Sequence, residues 1–72
     1  MNTQEAKIVI EAALLCAPRP MNVAELRRLF DEEIAADTVR ALLDELRDDW
    51  QGRGVQLAAL ATGWRFQSTP QM

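Results

Sequence analysis

Apolar residues repeat at helical spacing from the start of the chain. Ile8, Ala12 and Leu15 fall at i, i+4 and i+7, with Val9, Ala13 and Cys16 one position further on, and together they form a broad apolar stripe. Asn2 followed by Glu5 has the spacing of a capping box, and nothing between Ala6 and Ala17 breaks a helix. Pro18 and Pro20 close the segment, because proline lacks the donor N–H and restricts the residue before it. The pattern predicts a helix over 3–17. Asn22 and Glu25 repeat the capping spacing, with Met21 before them as a staple residue. Val23, Leu26, Leu29 and Phe30 then predict a short helix over 23–30. Asp31, Glu32 and Glu33 make an acidic connector that opposes the negative end of a helix, and Ile34 is its apolar anchor.

The third segment is the most strongly periodic. Val39, Leu42, Leu43, Leu46 and Trp50 occupy one face of a helix over 37–51, with Asp37 in its first turn and Gly52 and Gly54 stopping it after Gln51. Beyond them the period falls to two. Val55, Leu57, Ala59 and Ala61 alternate along one run, and Trp64, Phe66 and Ser68 along the next. A Thr62-Gly63 loop between them sets Ala61 opposite Trp64 and Ala59 opposite Phe66. That register places Val55, Leu57, Ala59, Ala61, Trp64 and Phe66 on one face. Three helices followed by a two-stranded hairpin is an α+β order, that of a winged helix-turn-helix domain. The second and third helices are the helix-turn-helix pair and the hairpin is the wing. The domain is expected over 3–70, with 71–72 as a tail after a polar stretch from Gln67 that contains a proline.

Length changes the picture towards partners. A chain of 72 residues is one small domain, and at this size folding buries only about 60% of the unfolded surface. Such a core rarely supplies more than about 3–5 kcal/mol, so a subunit contact would add stability and an enzyme cleft has little room. There is no histidine, and the single cysteine, Cys16, can make no internal disulfide; it reads as a small buried hydrophobe. No zinc set, nucleophile–base pair or phosphate loop is visible, so no metal, cofactor or catalytic residue is expected. The longest apolar run, Ala12 to Ala17, is far short of the ~20 residues of a membrane span, and no signal peptide is visible. The chain reads as cytoplasmic.

Charge argues against nucleic acid. Eight basic and eleven acidic residues leave a net charge of −3. DNA affinity comes mainly from Lys and Arg displacing counterions from phosphates. On the third helix, where this fold reads bases, the solvent face carries Arg40 and Arg47 against Asp44, Glu45, Asp48 and Asp49. Arg27 and Arg28 on the second helix are expected to be solvated, or paired as Arg28 with Glu25 or Glu32. Four large apolar residues exceed what the expected core needs. Leu14 falls off the main stripe of the first helix, Met21 and Trp50 lie near element ends, and Leu60 is on the outer face of the wing. These four are the candidate dimer or partner interface, together with the free edge of the wing.

The order of these pieces resembles a known family. Ile10-Glu11-Ala12-Ala13-Leu14-Leu15-Cys16-Ala17 followed by Pro20-Met21-Asn22-Val23-Ala24-Glu25-Leu26 is similar to the opening of the segregation and condensation protein B family. So are Leu42-Leu43-Asp44-Glu45-Leu46, the run Trp50-Gln51-Gly52-Arg53-Gly54-Val55-Gln56-Leu57, and the closing Gly63-Trp64-Arg65-Phe66-Gln67-Ser68-Thr69. The resemblance implies a non-enzymatic accessory subunit of the bacterial SMC–kleisin complex, or condensin, acting in chromosome condensation, segregation and partition during cell division. It implies a homodimer that binds the kleisin subunit, segregation and condensation protein A, and through it the SMC ATPase, with little or no direct DNA binding. It also implies a cytoplasmic, nucleoid-associated protein with two winged helices in tandem, of which this chain corresponds to the first. The alternative from the residues themselves is a small winged-helix transcriptional regulator, with Arg27, Arg28, Arg40, Arg47 and Arg65 as phosphate contacts.

Overall fold

A computed structural model describes residues 2–69, and the expected tail at 71–72 lies outside them. Asn2 accepts a hydrogen bond from the Glu5 N–H at 2.8 Å and starts α1, Thr3–Cys16. Asn22 starts α2, Val23–Arg28, with a full capping box: its side chain accepts from the Glu25 N–H, and the Glu25 carboxylate accepts from the Asn22 N–H. The helical turn runs on past Arg28 through i→i+3 bonds to Leu29 and Phe30, which is why the periodicity extends there.

The acidic connector performs a reversal usually given to glycine. Asp31 and Glu32 both take positive φ, 54° and 62°. The Asp31 N–H donates to the Arg28 carbonyl and the Glu32 N–H to the Arg27 carbonyl, the bond pattern of a Schellman motif. Arg27 holds the reversed strand: its Nε donates to the Ile34 carbonyl at 2.7 Å and its guanidinium to the Glu32 carbonyl at 3.1 Å. Arg28 makes neither expected carboxylate pair among the described contacts. Glu25 is taken by Arg19 instead, at 2.8 Å.

The helix α3, Ala36–Asp49, has no side-chain cap at Ala35 but carries Asp37 in its first turn. It ends at Asp49 with Trp50 as its C-cap, short of the expected Gln51, and Gly52 takes φ +81° in the turn that follows. The wing is β1, Val55–Leu60, antiparallel to β2, Gly63–Ser68. Leu57 faces Phe66 and Ala59 faces Trp64, a register two residues from the expected one. The loop is Ala61-Thr62, so Ala61 is an exposed turn residue and leaves the inner face. Face assignment survives because a shift of two preserves side-chain parity.

Gly63 is needed for a different reason from the one its turn position suggests. Met21 pairs with Trp64 along the outer edge of β2, exchanging N–H···O bonds of 2.9 and 2.7 Å. A Cβ on Gly63, where φ is +141°, would lie 2.5 Å from the Met21 carbonyl carbon. The glycine therefore lets the chain before α2 dock onto the wing.

The core is built on α3. Val39, Leu42, Leu43 and Leu46 are essentially fully buried, joined by Leu26 and Phe30, by Ala6, Ile10 and Leu14 of α1, and by Leu57 of the wing. The α1 face in the core is thus Ala6–Ile10–Leu14, and the Ile8–Ala12–Leu15 stripe expected there points away from it. Leu14 is a core residue, 4% exposed, which corrects its expected place on a surface; Cys16 is exposed rather than buried.

Two glycine-linked substitutions test this geometry by urea unfolding. Gly63→Ala is expected to cost about 2 kcal/mol or more, since both the positive φ and the Met21 backbone oppose a methyl group. Asp31→Gly is expected to stabilise by roughly 1 kcal/mol, because it relieves a left-handed non-glycine residue at the Schellman position.

Candidate interaction surfaces

Nine of the fourteen residues in α1 are apolar, more than one face can bury. With Ala6, Ile10 and Leu14 in the core, Ile8 and Leu15 are left 54% and 51% exposed, and Ala12 between them is exposed as well. At about 100° per residue, Glu5, Ile8, Ala12, Leu15 and Cys16 fall within one arc roughly 100° wide, opposite Ile10 and Leu14. One flank of the helix is tied down. Lys7 donates to Asp49 at 2.7 Å and to Glu45 at 3.3 Å, joining α1 to α3. The bond to Asp49 is the main reason the Lys7 ammonium is held above its ordinary pKa, against some desolvation. Glu11 accepts a 2.8 Å hydrogen bond from the Trp50 indole.

The α3 face that would meet DNA is electrostatically spent on itself. Arg40 donates to Asp37 at 2.9 Å and Arg47 to Asp44 at 2.8 Å. Each pair is exposed and contributes little to stability, but it leaves no net positive charge from either arginine. Arg47 also lies over the Trp64 ring, 5.4 Å from its centroid.

The wing has one covered and one open edge. The Thr69 N–H bonded to the Gly54 carbonyl at 2.9 Å sets the phase of the ladder, so Gln56, Ala58 and Leu60 direct their backbone groups to β2. Val55, Leu57 and Ala59 direct theirs outward. On the β2 side, Met21 occupies the outward groups of Trp64. Beside the β1 edge lies an open groove of about 570 Å³, lined by Arg47, Gln51, Gln56, Leu57, Ala59 and Thr69 among others. Such an edge can accept an added strand. Among the described residues no group of three or more His, Cys, Asp or Glu is placed to hold a metal ion, and no helix is long and apolar enough to cross a membrane.

An acidic winged helix with an apolar outer helix matches a specific group of proteins. The family model described as segregation and condensation complex subunit ScpB matches residues 8–72. The chain belongs to the ScpB family. It is 43% identical over 72 residues to the segregation and condensation protein B homolog of Coxiella burnetii, covering 97% of this chain and 34% of that protein. The chain spans about a third of the length of the curated relatives it matches. ScpB from Mycobacterium tuberculosis has a similar fold, with a TM-score of 0.88 at 26% identity, over 99% of this chain and 44% of that one. A third likeness is to a structure described as a dimer of the ScpB N-terminal domain complexed with ScpA peptide. Its TM-score is 0.83 at 20% identity, over 99% of this chain and 84% of that one, and it shows the same winged-helix fold.

The four residues singled out from the sequence of this ScpB-family chain do not form one surface. Leu14 is in the core. Met21 is half-buried and occupied by its pairing with Trp64. Trp50 is half-buried, its ring 4.8 Å from Phe66 with the Arg53 guanidinium above it, so it clamps α3 to the wing and α1. Leu60 alone is exposed, at 42%. The sequence reading did not single out Ile8 and Leu15, which the fold leaves exposed. The signal that points to them is that Ala6–Ile10–Leu14 forms a second apolar stripe on the same helix, and a domain this small can bury only one of the two.

The pH dependence of the α2 start follows from Glu25. The Arg19 hydrogen bond first, and then the Asn22 N–H, hold its carboxyl below the ordinary range. A carboxylate lowered in the folded state stabilises above its unfolded pKa, and that contribution disappears as pH falls through the lowered value. Glu25→Gln is therefore expected to flatten the acid limb of a urea-midpoint-against-pH plot while preserving the helix. An unchanged acid limb would count against the Arg19–Glu25 pair.

Proposed function

We propose that this chain is the dimerising first winged-helix domain of an accessory subunit of the bacterial condensin, the first of two such domains in the parent protein. In this reading it is not an enzyme. It pairs with an identical chain and helps hold the kleisin ScpA, and through it the SMC ATPase, in the cytoplasm at the nucleoid. The observation that carries the reading is the outward apolar arc of α1, which the chain's own fold leaves uncovered. Family membership and the dimer with ScpA peptide described for a protein of the same fold support it. The internal Arg40–Asp37 and Arg47–Asp44 pairs favour it over a DNA-reading regulator.

Sedimentation over a wide concentration range, paired with a duplex DNA titration at low salt, tests the proposal. The weight-average mass is expected to rise towards two chains with concentration. The DNA titration is expected to stay silent even at low salt, where electrostatic binding is strongest. A monomer at every concentration, with DNA binding that weakens steeply as salt is added, would replace this reading with the regulator.

A further inference from the structure

The outer edge of β1 is unguarded. Soluble proteins protect a free strand edge with charged side chains, proline or a bulge. β1 reads Val-Gln-Leu-Ala-Ala-Leu, with no charge and no proline, and it pairs with β2 residue by residue without a bulge. Leu57 lies in the middle of the strand and is 3% exposed. Its N–H and C=O nevertheless point away from β2, into the groove beside the strand, and have no partner among the described residues. Backbone groups so nearly covered and left unpaired cost free energy, and a neighbouring main chain satisfies both at once. The edge of β2 is already taken at Trp64 by Met21, so the sheet can grow at β1.

The groove also has a charge preference. Arg47 lines it with Gln51 and Gln56, and no acidic side chain does, in a chain whose net charge is −3. Asp44 takes one N–H of the Arg47 guanidinium and lies outside the groove. A guanidinium carries five such donors, so others remain for an acceptor lying in the groove. A second copy would bring a β1 with no charged side chain and leave those donors unanswered. We propose that β1 accepts, as a further strand of the wing, an extended acidic segment of a different protein. The main chain of that segment bonds to the outward N–H and C=O groups of Val55, Leu57 and Ala59, and a carboxylate on its inner face meets Arg47. A segment of about five residues spans the three positions, at roughly 3.3 Å per residue. The docking holds for a monomer as for a dimer.

Titration of the isotope-labelled chain with a synthetic peptide, Thr-Val-Glu-Val-Glu-Val-Thr, followed by amide NMR, tests the docking. Shifts and slowed hydrogen exchange are expected at the Val55, Leu57 and Ala59 amides. Methylating the peptide nitrogens that face β1 is expected to weaken binding about tenfold, since it removes main-chain donors and keeps every charge. Ala59→Pro removes one outward N–H without touching the ladder to β2, and is expected to weaken binding with an unchanged far-UV spectrum. Arg47→Gln is expected to weaken the acidic peptide about threefold and to leave a version with Gln in place of Glu unaffected. Equal affinity for the methylated peptide, shifts confined to α1 or the outer face of α3, or no shift at millimolar peptide would overturn strand addition. An Arg47→Gln variant that binds the acidic peptide as the parent does would overturn the preference for acid. None of these readouts depends on self-association, which the sedimentation mass follows separately.

Discussion

Every element of this domain is placed by one apolar face, that of α3. Val39, Leu42, Leu43 and Leu46 are buried along it, and α1, α2 and the wing each lay a side against it. Ion pairs and ring contacts then fix the angles: Lys7 ties α1 to Glu45 and Asp49, and Trp50 joins the end of α3 to Glu11 on one side and Phe66 on the other. The inward face of α3 is fully committed, and its outward face is polar apart from Ala41. A helix with so clear a division has one favoured orientation, and α1, whose apolar residues spread over more than one face, must adapt to it.

The adaptation explains why the fold leaves an apolar face uncovered. Lys7 can reach the acidic flank of α3 only if Ala6, Ile10 and Leu14 are turned inward, and that choice exposes Ile8, Ala12 and Leu15. Charge is arranged by a parallel logic. The α3 arginines that a DNA-reading winged helix would extend to phosphates are folded back onto Asp37 and Asp44. A scaffold common among DNA readers has been left with an electrically quiet reading helix and an apolar outer helix, a division that suits binding protein rather than nucleic acid.

Much of the architecture was legible in the sequence. The Asn2 and Asn22 caps, the α3 stripe and the period-two wing each combine a local signal with a pattern that agrees with it. The facing of α1 was not legible, because two apolar stripes on one helix are equally periodic and only the tertiary position of Lys7 separates them. The wing register slipped by two because Gly63 looks like a turn residue, whereas its freedom is used for the approach of Met21. That long-range pairing leaves no local trace. Leu14 was misplaced among surface candidates for the same reason as Ile8 was misplaced in the core. Asp31 and Glu32 were readable as a poor helix end, but not as a left-handed reversal held by Arg27.

The central claim is that α1 is the surface through which this chain meets its own copy. A dilution series followed by backbone amide NMR shifts tests it most directly, since it needs no substitution. The account predicts that shifts changing with concentration concentrate on Ile8, Ala12, Leu15 and Cys16, with α3 and the β1 edge nearly constant. Changes confined to Val55–Leu60 or to the outer face of α3 would contradict it.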